Sequence, residues 1–384
     1  MHMQRTTERN DQLERLRRRY GGRGKGGRSR LLDEFCEHYG YERKYAIKLL
    51  GGRSEPSQPR PRLGPEPKYE AVVEVVERIW SCAEHLCGKR LAPALELWLP
   101  HYPRHYGPLL PRQKTLLRSV SAATLDRLLA QCKAHAQQGK SGTRPGSLLR
   151  HQVPIAGEVW DERRLGFLEA DSVAHCGGSL AGNFIWSLTY TDLASGWTEG
   201  RAVWNKGSQG VLEQTKSVEQ ALPFPLLGFD FDNGSEWLNW SLIRYLQVRP
   251  QPVRVTRSRP YHKDDNAHVE QKNWMWPRQL LGYGRLEDER LLGPINALYT
   301  EAWGLLHNYF LPSMKLLKKW RVGSRWVRRH DRPQTAYQRL LAHGELSAKA
   351  RRQLQERFQG LDPFVLAQEV ERRLKPILGA VAGE

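Results

Sequence analysis

Apolar side chains in the first third of the chain fall at three- and four-residue intervals, the period of helices with one buried face. In RLLDEFCEHYGYERKYAIKLLG (30–51) two short amphipathic stretches flank Gly40. Leu31, Leu32 and Phe35 are expected to face Tyr45, Ile47, Leu49 and Leu50, a helix-turn-helix arrangement. Arg43, Lys44 and Lys48 then lie on the polar side of the second helix, as in a recognition helix, with a plain helical hairpin and solvated lysines as the alternative. Residues 68–136 repeat the helical period. Val72, Val73, Val76, Ile79 and Trp80 mark one stripe, and Ser121 reads as the N-cap of a helix striped by Leu125, Leu128 and Leu129. A DNA-binding unit and a bridging bundle fit this region equally well.

From about residue 155 the texture becomes α/β. GFLEAD (166–171), FIWSLTYTDLASG (184–196), TEGRAVW (198–204), LLGFDFDNG (226–234) and VRVTRS (253–258) read as strands. Helical periods appear in 208–222, in 235–247 with Ser235 as cap, and in 267–282. The order βββαβαβα predicts a mixed five-stranded sheet with helices on both faces. The expected domains are a basic arm and helix-turn-helix (1–53), a Pro-rich linker (54–67), a second helical domain (68–136), a Gly-, Ser- and base-rich linker (137–154), the α/β core (155–312), and a basic C-terminal region with helices (313–384). Residues 1–30 carry too little apolar content to fold alone. The tail from Pro333 reads as solvated helices, and KLLKKWRVGSRWVRRHDR (315–332) holds eight Lys or Arg and a single acid.

Charge changes this picture from a fold to a partner. Sixty Lys and Arg against 41 Asp and Glu leave +19 over 384 residues, which points to a polyanion, with nucleic acid favoured. No run approaches the roughly eighteen apolar residues of a membrane span, and the start has no apolar stretch behind its charges, so no membrane or secretory role is expected. Five cysteines, an odd and sparse set, imply free thiols in a reducing cytoplasm. Cys82, Cys87, His101 and His105 come near a zinc-finger spacing. The cysteines sit in a helical pattern and the histidines flank Pro103, so the context does not suit a finger.

Three acids occupy special positions in the core. Asp171 ends the first strand, Asp232 opens the Asp-Asn-Gly turn after the fourth, and Glu270 falls in the first turns of the helix after the fifth. Convergent carboxylates of this kind can hold two Mg²⁺ (or Mn²⁺) ions about 3.5–4 Å apart, a clamp for in-line phosphoryl displacement. Each acid alone has a duller reading as a turn former or a helix N-terminal charge. Asp230 is the strongest rival, two residues before Asp232 and on the same face, and Asp264 and Asp265 also compete. Arg257, Arg259, His262 and Lys263 precede the helix that carries Glu270, and Lys272 lies within it. These five are candidate DNA contacts, with a solvated basic loop as the even alternative for the first four. His175 and Asn233 stand beside acids as candidate supporting groups.

LEADSVAH (168–175), TYTDLASGW (189–197), FDFDNGSEWLN (229–239) and TRSRPYHKDDNAHVEQKNW (256–274) resemble the core of the DDE transposase and retroviral-integrase superfamily, and HNYFLPSMKL (307–316) resembles its segment after the catalytic helix. The last two core segments are most similar to bacterial insertion-sequence transposases. The resemblance covers residues 150–320 well and the flanks loosely. It implies an RNase H-like fold, with Asp171, Asp232 and Glu270 as catalytic and metal-binding acids. It also implies hydrolysis at the ends of a mobile element, joining of the freed 3′-hydroxyl to target DNA, and a homo-oligomer assembled on DNA in the bacterial cytoplasm, at the nucleoid. A non-catalytic DNA-binding relative is the alternative.

Overall fold

The computed structural model describes residues 13–51, 68–137, 163–231, 237, 239–257 and 274–381. The chain divides into two compact units, Met1–Lys68 and Tyr69–Glu384.

In the first unit a helix over 13–21 (α1) precedes α2 (Lys25–Tyr39) and α3 (Arg43–Leu50). Gly40 ends α2 at φ 67°, a left-handed conformation that side chains resist, and its N–H returns to the Cys36 carbonyl at 2.9 Å. Leu32 and Phe35 pack on Ala46 and Leu50. The expected partners Tyr45 and Ile47 instead stand exposed, because the small Ala46 and its i+4 neighbour Leu50 bring α3 against α2 on a different face. Leu13, Leu16 and Tyr20 pack against that cluster, so part of the basic arm is helical: the other two helices supply the apolar surface it lacks.

The second unit opens with a helical layer: α4 (Val73–Cys82), α5 (Gly88–Trp98), α6 (Tyr102–Tyr106), α7 (Pro111–Ser119), α8 (Ala122–Leu128) and α9 (Ala130–Gln137). The Ser121 side chain caps α8, accepting from the Thr124 N–H at 3.1 Å. The sheet follows, with β1 (Phe167–Ala174), β2 (Ile185–Asp192), β3 (Thr198–Trp204), β4 (Gly228–Phe231) and β5 (Arg254–Arg257), in the order β3-β2-β1-β4-β5. β1, β2 and β3 are successive antiparallel neighbours, whereas β4 and β5 run parallel to β1. This mixed sheet, flanked by helices, is compatible with an RNase H-like core. Between β3 and β5 lie α10 (Ser208–Ala221) and α11 (Trp240–Gln247). Asn239 caps α11, accepting from the Leu242 N–H, where Ser235 had been expected; Ser235 lies outside the described residues. A short helix, α12 (274–281), then leads to a long one, α13 (292–310), each with one π turn.

α10 covers one face of the sheet, with the Tyr190 hydroxyl 3.0 Å from Thr215 Oγ1. α13 covers the other face and also closes the β3 edge. Asn308 exchanges two hydrogen bonds with the Thr198 backbone (3.0 and 2.8 Å), and Asn296 does the same with Ala202 (2.8 and 3.1 Å). An open row of edge N–H and C=O groups invites further strands; here side-chain amides satisfy it. Gly200, between those positions, lies so close to α12 and α13 that a Cβ would meet the Trp276 ring at 3.0 Å and Tyr299 at 3.2 Å.

The N-terminal helical layer shares one hydrophobic cluster with these elements. The Trp98 indole N–H bonds to the Phe310 carbonyl at 3.2 Å, and its ring stacks edge-on to Phe364. The basic segment placed in a helical tail instead forms an antiparallel hairpin, β6 (Leu316–Val322) and β7 (Arg325–His330), turning at Gly323 with φ 58°. Alternating Trp320, Val322 and Val327 with cations favours a strand, and the glycine supplies the turn. The helices α14 (Ala336–Ala342), α15 (Ala348–Gln359) and α16 (Pro363–Val381) follow. They are not simply solvated, since Leu340, Leu354, Phe364 and Ile377 are buried. Among the described residues no helix is long and apolar enough to cross a membrane.

Candidate active site

Strand alternation decides which acids share a face. Asp171 lies opposite Thr189, and Glu169 lies between Thr191 on β2 and Asp230 on β4. Side chains two apart on a strand point the same way, and directly paired residues share a face. Glu169, Asp171 and Asp230 therefore stand on one side of the sheet with Thr189, Thr191 and Thr256, the side that α13 covers over β2 and β3. Asp192 has the opposite parity. Its burial raises the carboxyl pKa, while Ser195 N–H and Oγ–H and Gly166 N–H donate to it at 2.7, 2.6 and 2.8 Å. That carboxylate ties the β2–β3 turn to the start of β1.

Asp171 is half-buried near the middle of β1, the central strand, and Oδ1 accepts from the Ser172 N–H at 2.7 Å. Asp230 accepts a short hydrogen bond from the Thr256 hydroxyl on β5. By strand geometry its Cα lies roughly 8 Å from that of Asp171, one strand across and two residues along. Glu169 is buried at 5% exposure and had not been singled out. The signal was in the sequence, since an acid at i−2 of a strand carboxylate shares its face.

His175 lies four residues beyond Asp171 and is fully buried. Its Nε2 is 2.8 Å from Ser187 Oγ, which is 2.7 Å from the Tyr299 hydroxyl on α13. Its Nδ1 is buried without a hydrogen-bond partner. Burial, reinforced by the Arg278 guanidinium, pushes the imidazole down to about 3, so the ring is neutral. His175 thus sits in a packed relay between the sheet and α13.

Arg257 closes β5, its backbone in register with Phe231. Asp232, Asn233, Arg259, His262, Lys263, Glu270 and Lys272 lie outside the described residues. Of the expected triad, then, Asp171 is the described member. Among the described residues no group of three or more His, Cys, Asp or Glu side chains is placed to hold a metal ion. The donor chemistry of this face, carboxylate and hydroxyl oxygens, suits a hard divalent cation. In the first unit, Lys44 and Lys48 are exposed on α3, whereas Arg43 is engaged with Asp33 and with Ser29 Oγ on α2. His101 and His105, read against a zinc finger, both approach the Asp362 carboxylate at the start of α16, at 3.4 and 3.0 Å.

No family model matches the chain. Among solved structures it is similar to the catalytic core domain of BIV integrase, at 16% identity and a TM-score of 0.24, over 31% of this chain and 70% of that one. It is 38% identical over 334 residues to the uncharacterized protein y4rM of Sinorhizobium fredii (strain NBRC 101917 / NGR234), spanning 85% of this chain and 93% of that protein. At that identity and coverage, the chain belongs to the same family as y4rM.

Proposed function

We propose that the chain is a metal-dependent DNA strand-transferase of the DDE transposase kind, with Asp171, Asp232 and Glu270 as its acids. The observation that carries this reading is the register of β1 and β4. Ala170 pairs with Phe231, and in sequence the residue after each is an aspartate, Asp171 and Asp232. Two parallel neighbouring strands whose paired positions are each followed in sequence by an aspartate are the pattern this reading expects of a carboxylate site on the sheet, although β1 runs on past Asp171 to Ala174 rather than ending there. The motif resemblance over 150–320 supplies the third acid, Glu270.

In this reading Asp171, Asp232 and Glu270 hold Mg²⁺ or Mn²⁺, two ions per site, which when bound supply Lewis acidity at the attacking and departing oxygens. The protein's own part is positioning. β1 holds Asp171 rigidly at the sheet centre, with its carboxylate oriented by the Ser172 N–H. The Asp230–Thr256 bond ties β4 to β5. Lys44 and Lys48 of the first unit, with the basic residues before Glu270, are assigned to DNA phosphates. Arg43 serves the α2–α3 contact. Two DNA ends require more than one copy, so the working form is an oligomer on DNA.

The test uses a pre-cut duplex end and a target duplex, with the full chain. Joining should require Mg²⁺ or Mn²⁺ and stop with excess chelator, and Asp171→Asn should remove joining while DNA binding persists. Joining that survives the chelator would sink the metal mechanism. DNA binding with no joining under any metal would favour the non-catalytic relative.

A further inference from the structure

The β6–β7 hairpin is not explained by folding. Neither strand has a buried residue; only Trp320 and Val327, which pair with each other, are half-covered. Isolated two-stranded ribbons are marginal in water. This one also concentrates Lys318, Lys319, Arg321, Arg325, Arg328 and Arg329 with no acid between Leu316 and His330. All six are exposed, and among the described residues none has a carboxylate partner. The register spreads them over both faces. Lys319, Arg321 and Arg328 share one side with Trp326, while Lys318, Arg325 and Arg329 share the other with Trp320. Lys319 lies 4.8 Å over the Trp326 ring, and that ring is 46% exposed.

We propose that this hairpin grips duplex DNA by entering the major groove without reading sequence. A seven-residue strand is about 23 Å long, and a ribbon one strand spacing wide fits a groove about 12 Å across. Cations on both faces match phosphates on both groove walls. An anchor for an anionic membrane would keep its apolar face clear of cations, whereas here Lys318, Arg325 and Arg329 lie on the same face as Trp320, Val322 and Val327, with Arg325 paired to Val322 beside the turn. The A-form major groove of double-stranded RNA is too narrow to admit such an element. The assignment rests on charge and shape, and so goes beyond the strand-transfer reading and stands apart from it.

The experiment compares the full wild-type chain with the Arg321→Gln, Arg325→Gln, Arg328→Gln, Arg329→Gln variant. Each is titrated against a random-sequence DNA duplex, an RNA duplex of the same sequence and phosphatidylserine vesicles, at several salt concentrations. The variant should melt as the wild type does and bind the DNA duplex at least about tenfold more weakly. Its log Kd against log salt should be shallower by about 3 to 4, at roughly 0.9 per lost phosphate contact. A Lys318→Gln, Lys319→Gln variant, with about half that change in slope, replaces it if the quadruple variant does not fold. Unchanged DNA affinity and slope, or a loss confined to RNA or vesicles, would overturn the proposal. If the wild-type chain grips duplexes through the hairpin yet joins no ends, the function proposed above falls and the hairpin assignment stands.

Discussion

His175 makes the stability of the second unit depend on acid in a calculable way. The buried ring has its pKa lowered from 6.5 to about 3, first by burial and then by the Arg278 charge. A depressed folded value means that the unfolded chain binds the proton first. The contribution of the neutral ring is therefore complete above about pH 6.5 and is lost as pH falls from there toward 3. The whole shift is worth about 5 kcal/mol, of which about 2 kcal/mol is lost between about pH 7.5 and about pH 5. Other groups titrate in that window too, so the informative quantity is a difference. His175→Gln retains a group able to reach Ser187 but has no proton to gain. Urea unfolding of both proteins at the two pH values should show the wild type losing about 2 kcal/mol more than the variant. The variant should be the weaker protein at neutral pH, where the ring still packs, and the gap should narrow in acid. Parallel pH dependences for the two proteins would show that His175 titrates near its ordinary value and is not sealed beneath α13.

The paired aspartates of FDFDNG separate the catalytic assignment from its rival. Asp232→Asn should abolish joining of a pre-cut end with binding retained, whereas Asp230→Asn, which loses a bond to Thr256, should keep activity within about 10–100-fold; the reverse pattern in a strand-transfer assay would exchange their roles. Asp192→Ala strips the partner from the Gly166 and Ser195 donors and should cost about 3 kcal/mol in denaturant unfolding, at about 1–3 kcal/mol per buried orphaned group. A cost near zero would mean that water replaces the carboxylate and that the turn is not sealed.

Much of the core was legible because its signals are local. Periods of 2 and 3.6 marked all five strands as well as α10 and α11, and an N-cap serine such as Ser121 acts within one turn of its own helix. The same alternation puts Asp230 on the face of Asp232, since parity along a strand does not depend on what packs against it, but only the pairing of β1 with β4 puts Asp230 on the face of Asp171. Errors arose where the partner is distant in sequence. Tyr45 and Ile47 satisfy the helical period but lose the interface to Ala46 and Leu50, because only the approach of α2 selects the buried stripe. The basic stretch at 315–332 has only a thin apolar alternation of Trp320, Val322 and Val327, and pairing across Gly323 made it a hairpin. Glu169 shares the face of Asp171 by spacing alone, but only β4 puts Asp230 beside it. The sequence by itself determined the five strands of the core and the net charge of +19, consequences of spacing and composition. Tertiary structure alone decided that β1 lies between β2 and β4, that Asn296 and Asn308 close the β3 edge from α13, and that His175 is sealed into a neutral relay. Each of those rests on contacts between residues tens to more than a hundred positions apart, for which local pattern carries no term.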